Sequence, residues 1–217
     1  MKGVWHSVAA VLTLCCVGAV TVAQQTQHAR TLIYFVRHAE ANERDATDPT
    51  HPLTEQGKAR AKIFAATVHD VRFTHMFATH TTRARQMLEP AALDHGMAVR
   101  QLPAPGATLD GSIVSDATPS RAAVGPLVEA LRQLPAGSSA LVGVNADNFY
   151  AILNGLGVAV AASGSRCELG SSCVPCLTNS CFPVQEFDHF WILIRDDSNP
   201  PQLISLRYGD VSLPPTK

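Results

Sequence analysis

Charge is scarce in this sequence and almost evenly divided by sign. Asp, Glu, Lys and Arg make up 16% of the 217 residues, and the net charge is −1. No basic stripe interleaved with aromatics runs along the chain, so the electrostatic footprint of a nucleic-acid binder is missing and no nucleic-acid partner is expected. Long low-complexity tracts and internal repeats are missing too, which excludes a solenoid or a linker-like chain. No apolar run is long enough to favour a membrane-spanning helix. The length suffices for one domain with a sizeable core.

The first two dozen residues differ from the rest. Lys2 gives a short basic start, Val8 to Val22 is almost wholly apolar, and polarity returns at Gln24. Thr21-Val22-Ala23 offers a small-residue cleavage site, so residues 1–23 read as a secretory signal peptide, with an uncleaved anchor as the alternative. The expected location is periplasmic or secreted, with no stable membrane insertion after cleavage. Lipidation is disfavoured, because Cys15 follows Leu14 and Cys16 follows another cysteine. The other cysteines, Cys167, Cys173, Cys176 and Cys181, crowd into a Gly-, Ser- and Pro-containing loop at 164–183. In an exported chain they read first as two disulfides of undetermined pairing. Structural zinc is the alternative, since Cys173 and Cys176 have ligand-like spacing. No resident metal or cofactor is expected in the chemistry.

Hydrophobic patterning places strands and helices in alternation. Thr31 to Val36 reads as a buried strand. Thr54 caps a helix from Glu55 to about Val68, with Ala59, Ile63 and Ala66 expected inward. Strand Met76–Thr79, helix Thr82–Leu93 and strand Met97–Leu102 follow, then an irregular stretch from Pro103 to Thr118. A helix from Ser120 to about Leu134, with Val124, Leu127, Val128 and Leu131 on its apolar side, leads to strand Ala140–Val144. Helix Asn148–Leu156 stops at Gly157. Strands Phe187–Ile194 and Leu203–Tyr208 close the domain. The pattern predicts a single α/β domain over residues 31–210, a three-layer sandwich with a mostly parallel sheet flanked by helices. Ligands of such sheets bind beyond the carboxyl ends of the strands, here after Val36, Thr79 and Val144.

Those positions carry chemistry. Arg37-His38-Ala39-Glu40 follows the first strand. Arginine offers a planar fork for phosphate oxygens, and histidine a nitrogen nucleophile able to carry a phosphoryl group. Glu40 is a carboxylate that could orient or polarise the pocket. Arg83 opens a helix one βα unit later, where backbone amides also favour anions. Arg85 reads as an exposed helix charge, and His75 and His80 as surface or packing histidines without partners. A carboxylic acid is needed to protonate a leaving oxygen. Asp110 and Asp116 are the candidates, with Asp110 preferred because Asp116 precedes a helix start.

The run Tyr34-Phe35-Val36-Arg37-His38-Ala39-Glu40 resembles the signature of the histidine phosphatase superfamily. Pro52 to Gly57, Thr79 to Gln86 and Glu186 to Trp191 resemble later motifs of that family in order, so the likeness spans roughly Thr31 to Tyr208. The Arg-His-Ala form is similar to the small, phosphohistidine-phosphatase-like branch. The resemblance implies a phosphohistidine intermediate on His38, with Arg37 and Arg83 binding phosphate. It implies a small phosphorylated substrate or phosphate-like anion as partner. Asn42 and Asn145 are the expected substrate-binding positions, with Asn148 as the alternative neutral amide to Asn145. It also implies a second histidine at the end of the fourth strand, where this chain reads Val142-Gly143-Val144-Asn145 and holds Val144 instead.

Overall fold

Phe35, flanked by β-branched and aromatic neighbours, lies at the centre of a six-stranded sheet in the computed structural model. The model describes residues 29–42, 50–119, 123–158, 187–196 and 198–210. The strands are β1 (Thr31–Arg37), β2 (His75–Ala78), β3 (Arg100–Gln101), β6 (Ser139–Val144), β7 (His189–Arg195) and β8 (Gln202–Arg207), in the spatial order β3-β2-β6-β1-β7-β8. The four strands from β3 to β1 run parallel, whereas β7 and β8 add antiparallel at one edge. The connections between parallel strands include α1 (Glu55–Thr67), α2 (Thr82–Asp94) and α3 (Gly125–Arg132), and α4 (Ala146–Gly155) follows β6. The sheet is mostly parallel and lies between helices, as the α/β reading expects.

Each face of the sheet has its own core. Ile33, Phe35, Val142 and Trp191 pack against Leu127 and Leu131 of α3 and Phe149 and Ile152 of α4. Val36, Leu141 and Phe190 pack against Phe64 of α1 and Met87 and Leu88 of α2. A fully buried side chain of this kind contributes about 1.5–3 kcal/mol, so the alternation of inward residues along β1 and β6 fixes both layers. Gly143 sets the fit of α2. A Cβ there would lie 2.5 Å from the Ala84 carbonyl oxygen, so only glycine lets the start of α2 settle onto β6.

Several expectations are corrected. The inward face of α1 is Gly57, Arg60, Ala61, Phe64 and Ala65, whereas Ala59, Ile63 and Ala66 face outward. The helix is rotated because Arg60 reaches in to the Glu40 carboxylate, with both oxygens 3.0 Å from its Nε. The start expected at Ser120 gives way to a helix beginning at Gly125, with Pro126 in its first turn, where a missing N–H costs nothing. The strand expected over Met97–Leu102 is reduced to Arg100–Gln101. Within the stretch read as irregular, β4 (Thr108–Leu109) and β5 (Ser112–Ile113) form a hairpin. Its turn residues Asp110 and Gly111 have φ of 49° and 80°, the positive values that a tight two-residue hairpin turn requires. The segment read as a signal peptide and all six cysteines lie outside the described residues. Among the described residues, no helix is long and apolar enough to cross a membrane.

Candidate active site

The parallel strands β2, β6 and β1 end side by side, and their following residues converge at one edge of the sheet. The ladder between β1 and β6 ends at Arg37 beside Val144. His38 continues it by donating its backbone N–H to the Val144 carbonyl at 3.0 Å. On the other side of β6, Thr79 donates its N–H to the Gly143 carbonyl at 3.0 Å. The residues after these strands are therefore held by the sheet itself.

His38 is buried, with 3% of its surface exposed. Its Nδ1 lies 2.8 Å from the Ala39 carbonyl oxygen. A carbonyl only accepts, so Nδ1 carries the proton and Nε2 carries the lone pair. Arg83 donates its Nε–H to that Nε2 at 3.2 Å. Burial, then Arg37, then Arg83 hold the imidazole well below its ordinary pKa of 6.5, against the opposing pull of the Ala39 carbonyl. The ring is thus neutral near pH 7, with an unprotonated nitrogen facing a cationic arginine. That is the state a nitrogen nucleophile needs.

Arg37 is buried as well, and the Phe187 ring lies under its guanidinium at 4.6 Å. Phe187 is held in turn, because the Tyr208 hydroxyl donates to its carbonyl at 2.7 Å. Next to it, Asp188 accepts from Arg207 at 2.7 Å. This wall depends on the β7–β8 edge, and no single local motif marks it in the sequence beyond the aromatic start of the late strand.

Glu40 does not aim a free carboxylate into the pocket. It forms a paired-oxygen ion pair with Arg60, and both side chains are largely buried. Its backbone carbonyl accepts from the Thr54 N–H at 2.9 Å, and a Cβ on Gly57 would lie 2.1 Å from that oxygen. Glu40 thus pins the loop after β1 to the start of α1. Asn42 is exposed, and its N–H donates to the Pro52 carbonyl at 2.9 Å.

The loop after β2 is organised by a residue that sequence reasoning missed. The Gln101 side-chain amide donates towards the carbonyls of Thr79, His80 and Thr81 at 3.4, 2.8 and 3.3 Å. It ties these oxygens to β3, while the Thr81 carbonyl also accepts the Arg85 N–H of α2 at 3.2 Å. Asp116 accepts from the Thr82 N–H at 2.6 Å and from its hydroxyl at 3.0 Å, capping the helix that carries Arg83. Asp110, the preferred acid in the sequence reading, is exposed at the hairpin turn. Of the two carboxylates, Asp116 is the one that touches an element of the site. Of the surface and packing readings of His80, packing holds, but the ring does have a partner. It is 1% exposed, and its Nε2 lies 3.0 Å from the Thr118 carbonyl.

After β6, Asn145 accepts from the Thr81 hydroxyl at 3.2 Å and donates to the Thr79 hydroxyl at 3.4 Å, linking the ends of β6 and β2. Asn148 accepts the Asn145 N–H at 3.1 Å, while its own side-chain N–H group is buried without a partner. Val144 is fully buried and packs into the α3–α4 core, so it offers the site neither charge nor donor.

The fold and this strand-end constellation define an α/β domain with a buried neutral histidine beside two arginines. Residues 33–104 match the model of the histidine phosphatase superfamily (branch 1). The fold is similar to that of the protein histidine phosphatase SixA complexed with tungstate, at 18% identity and a TM-score of 0.50, covering 81% of this chain and 96% of that one. It is also similar to the ecdysone phosphate phosphatase EPPase from Bombix mori in complex with tungstate, at 10% identity and a TM-score of 0.51, covering 86% and 96%. No curated protein matches the sequence. The matched segment holds His38 and Arg83, and the likeness of fold extends beyond it over most of the chain.

Proposed function

We propose that this protein is an exported phosphatase that hydrolyses phosphomonoesters or related phosphoryl groups, without a metal, through a covalent intermediate on His38. The observation that carries the reading is the state of His38: Nδ1–H is fixed on the Ala39 carbonyl and Nε2 is left unprotonated against Arg83. A phosphoryl group entering beside Nε2 takes over the Arg83 N–H donors, and Arg37 lies on the adjacent residue. Their two positive charges stabilise the charge spread over the transferring oxygens. His38 Nε2 bonds to phosphorus as the leaving oxygen departs with a proton, and water then attacks the phosphohistidine to release phosphate. Asp116 is the acid candidate that contacts the site's elements. Export rests on the apolar run at Val8–Val22. The tungstate bound by the two similar structures supports a phosphate-like anion as the ligand class.

Val144 favours a second reading, in which the pocket binds a phosphorylated or anionic ligand without turning it over. Steady-state hydrolysis of an aryl phosphate, compared between wild type and His38→Ala, separates the two. Turnover that depends on His38 supports the phosphatase. Tight phosphate binding without His38-dependent turnover supports the binding module.

A further inference from the structure

We propose that His80 is a second imidazole of the phosphate pocket, reaching the bound group through Nδ1 from the opposite side of β6 to His38. The proposal rests on the phosphoryl-pocket reading above and names the pocket's further ligand contact. Register provides the first argument. β1 pairs with β6 up to Arg37 beside Val144, and β2 pairs with it up to Ala78 beside Gly143. His38 and His80 therefore each follow, by one residue, the level of Val144. They flank the β6 chain from its two neighbouring strands, with about two strand spacings, or roughly 10 Å, between their backbones. The imidazole that β6 does not supply at its own end is present one strand away.

The second argument is an unmet hydrogen bond. His80 is 1% exposed, and Nε2–H is committed to the Thr118 carbonyl. Its Nδ1 is buried with no partner. Such a group loses its hydration without compensation, which costs about 1–3 kcal/mol. A ligand oxygen at Nδ1 removes that cost once the nitrogen takes up a proton and can donate to it. The third argument is the charge around the ring. Arg83 faces it from α2, Asp116 from the segment before α3, and Asp147 from the first turn of α4. Charges from the starts of both α2 and α4 thus reach the ring. Burial is the largest influence and lowers its pKa, so the ring is neutral near pH 7 in the free protein. A dianion beside it reverses the preference. One proton from solvent then binds Nδ1, and Nδ1–H donates to a phosphoryl oxygen.

The test is sulfate binding to the protein by calorimetry between about pH 5 and 8, the window in which imidazoles change charge. Sulfate keeps both of its charges throughout, so any slope belongs to the protein. Wild type is expected to bind more tightly as pH falls, by up to about tenfold per pH unit, the limit for one proton taken up per anion. His80→Gln retains an amide donor for the Thr118 carbonyl and is expected to bind with a flat profile. A His80→Gln profile as steep as wild type overturns the proposal while leaving the pocket intact, as does wild-type binding without any slope. Wild type that binds no sulfate at all overturns both the proposal and the pocket. Nitrogen NMR of histidine-labelled wild type needs no variant: sulfate should convert the His80 Nδ1 signal from bare to protonated, and an unchanged signal overturns the assignment.

Discussion

At the scale of single residues, the site is built around keeping one imidazole neutral among cations. Arg83 lowers the pKa of His38, and in the proposed function it receives a phosphoryl oxygen. Arg83→Ala should therefore abolish the rise in melting temperature produced by phosphate or vanadate, and an unchanged rise would remove Arg83 from the pocket. The pH dependence has a definite sign. His38 has a folded pKa depressed below 6.5, so its neutral form persists as the pH falls through 6.5. Turnover should not lose its nucleophile there. The same depression makes stability fall from about that pH downward, because the unfolded chain takes up a proton that the folded chain refuses. Thermal melts across that range check the direction. Val144 is the residue with the clearest chemical consequence. Lacking a donor beside the reacting phosphorus typically costs about 2.7–4 kcal/mol in transition-state stabilisation. Val144→His should raise kcat/KM for an aryl phosphate and lower the melting temperature, since the new ring enters a position with no exposure. A slower Val144→His enzyme would mean that other groups have already taken over the role.

At the scale of elements, the loop after β1 and the start of α1 act as one unit. Arg60 and Glu40 are mostly buried partners, and removing one leaves the other uncompensated, which costs about 3–5 kcal/mol. Glu40→Ala should thus destabilise the fold by roughly that amount, as measured by denaturant unfolding. A change under about 1 kcal/mol would show the pair to be no more than a surface bridge. This pair also explains why the inward face of α1 was not legible. An arginine facing the core side breaks the apolar pattern, and only its partner on a distant loop makes that orientation affordable. By contrast, β1, β6 and α2 were legible because their residues alternate or recur with the period of the element that buries them. Arg37, His38 and Arg83 were legible for the same reason, since each directly follows a readable strand or opens a readable helix. Gln101 was not, nor were the contacts that fix Phe187, Asp116 and His80. Their roles depend on contacts such as Gln101 to the β2 loop and Tyr208 to the Phe187 carbonyl, which join segments that are far apart in sequence.

At the scale of the whole molecule, the sheet is the positioning device, and the proposed export would set the chemical environment. In an oxidising compartment, Cys167, Cys173, Cys176 and Cys181 are expected to be paired as disulfides. Mass spectrometry of non-reduced exported protein reads this directly, and free thiols or one zinc per chain would overturn it. The central claim is that His38, held neutral at the end of β1, carries the phosphoryl group during turnover. Rapid quench under alkaline conditions during hydrolysis of a radiolabelled phosphomonoester, followed by peptide mapping, tests it most directly. The account expects an acid-labile label on the peptide containing His38, and neither label nor turnover in His38→Ala. Label on another residue, or undiminished turnover in His38→Ala, would contradict it.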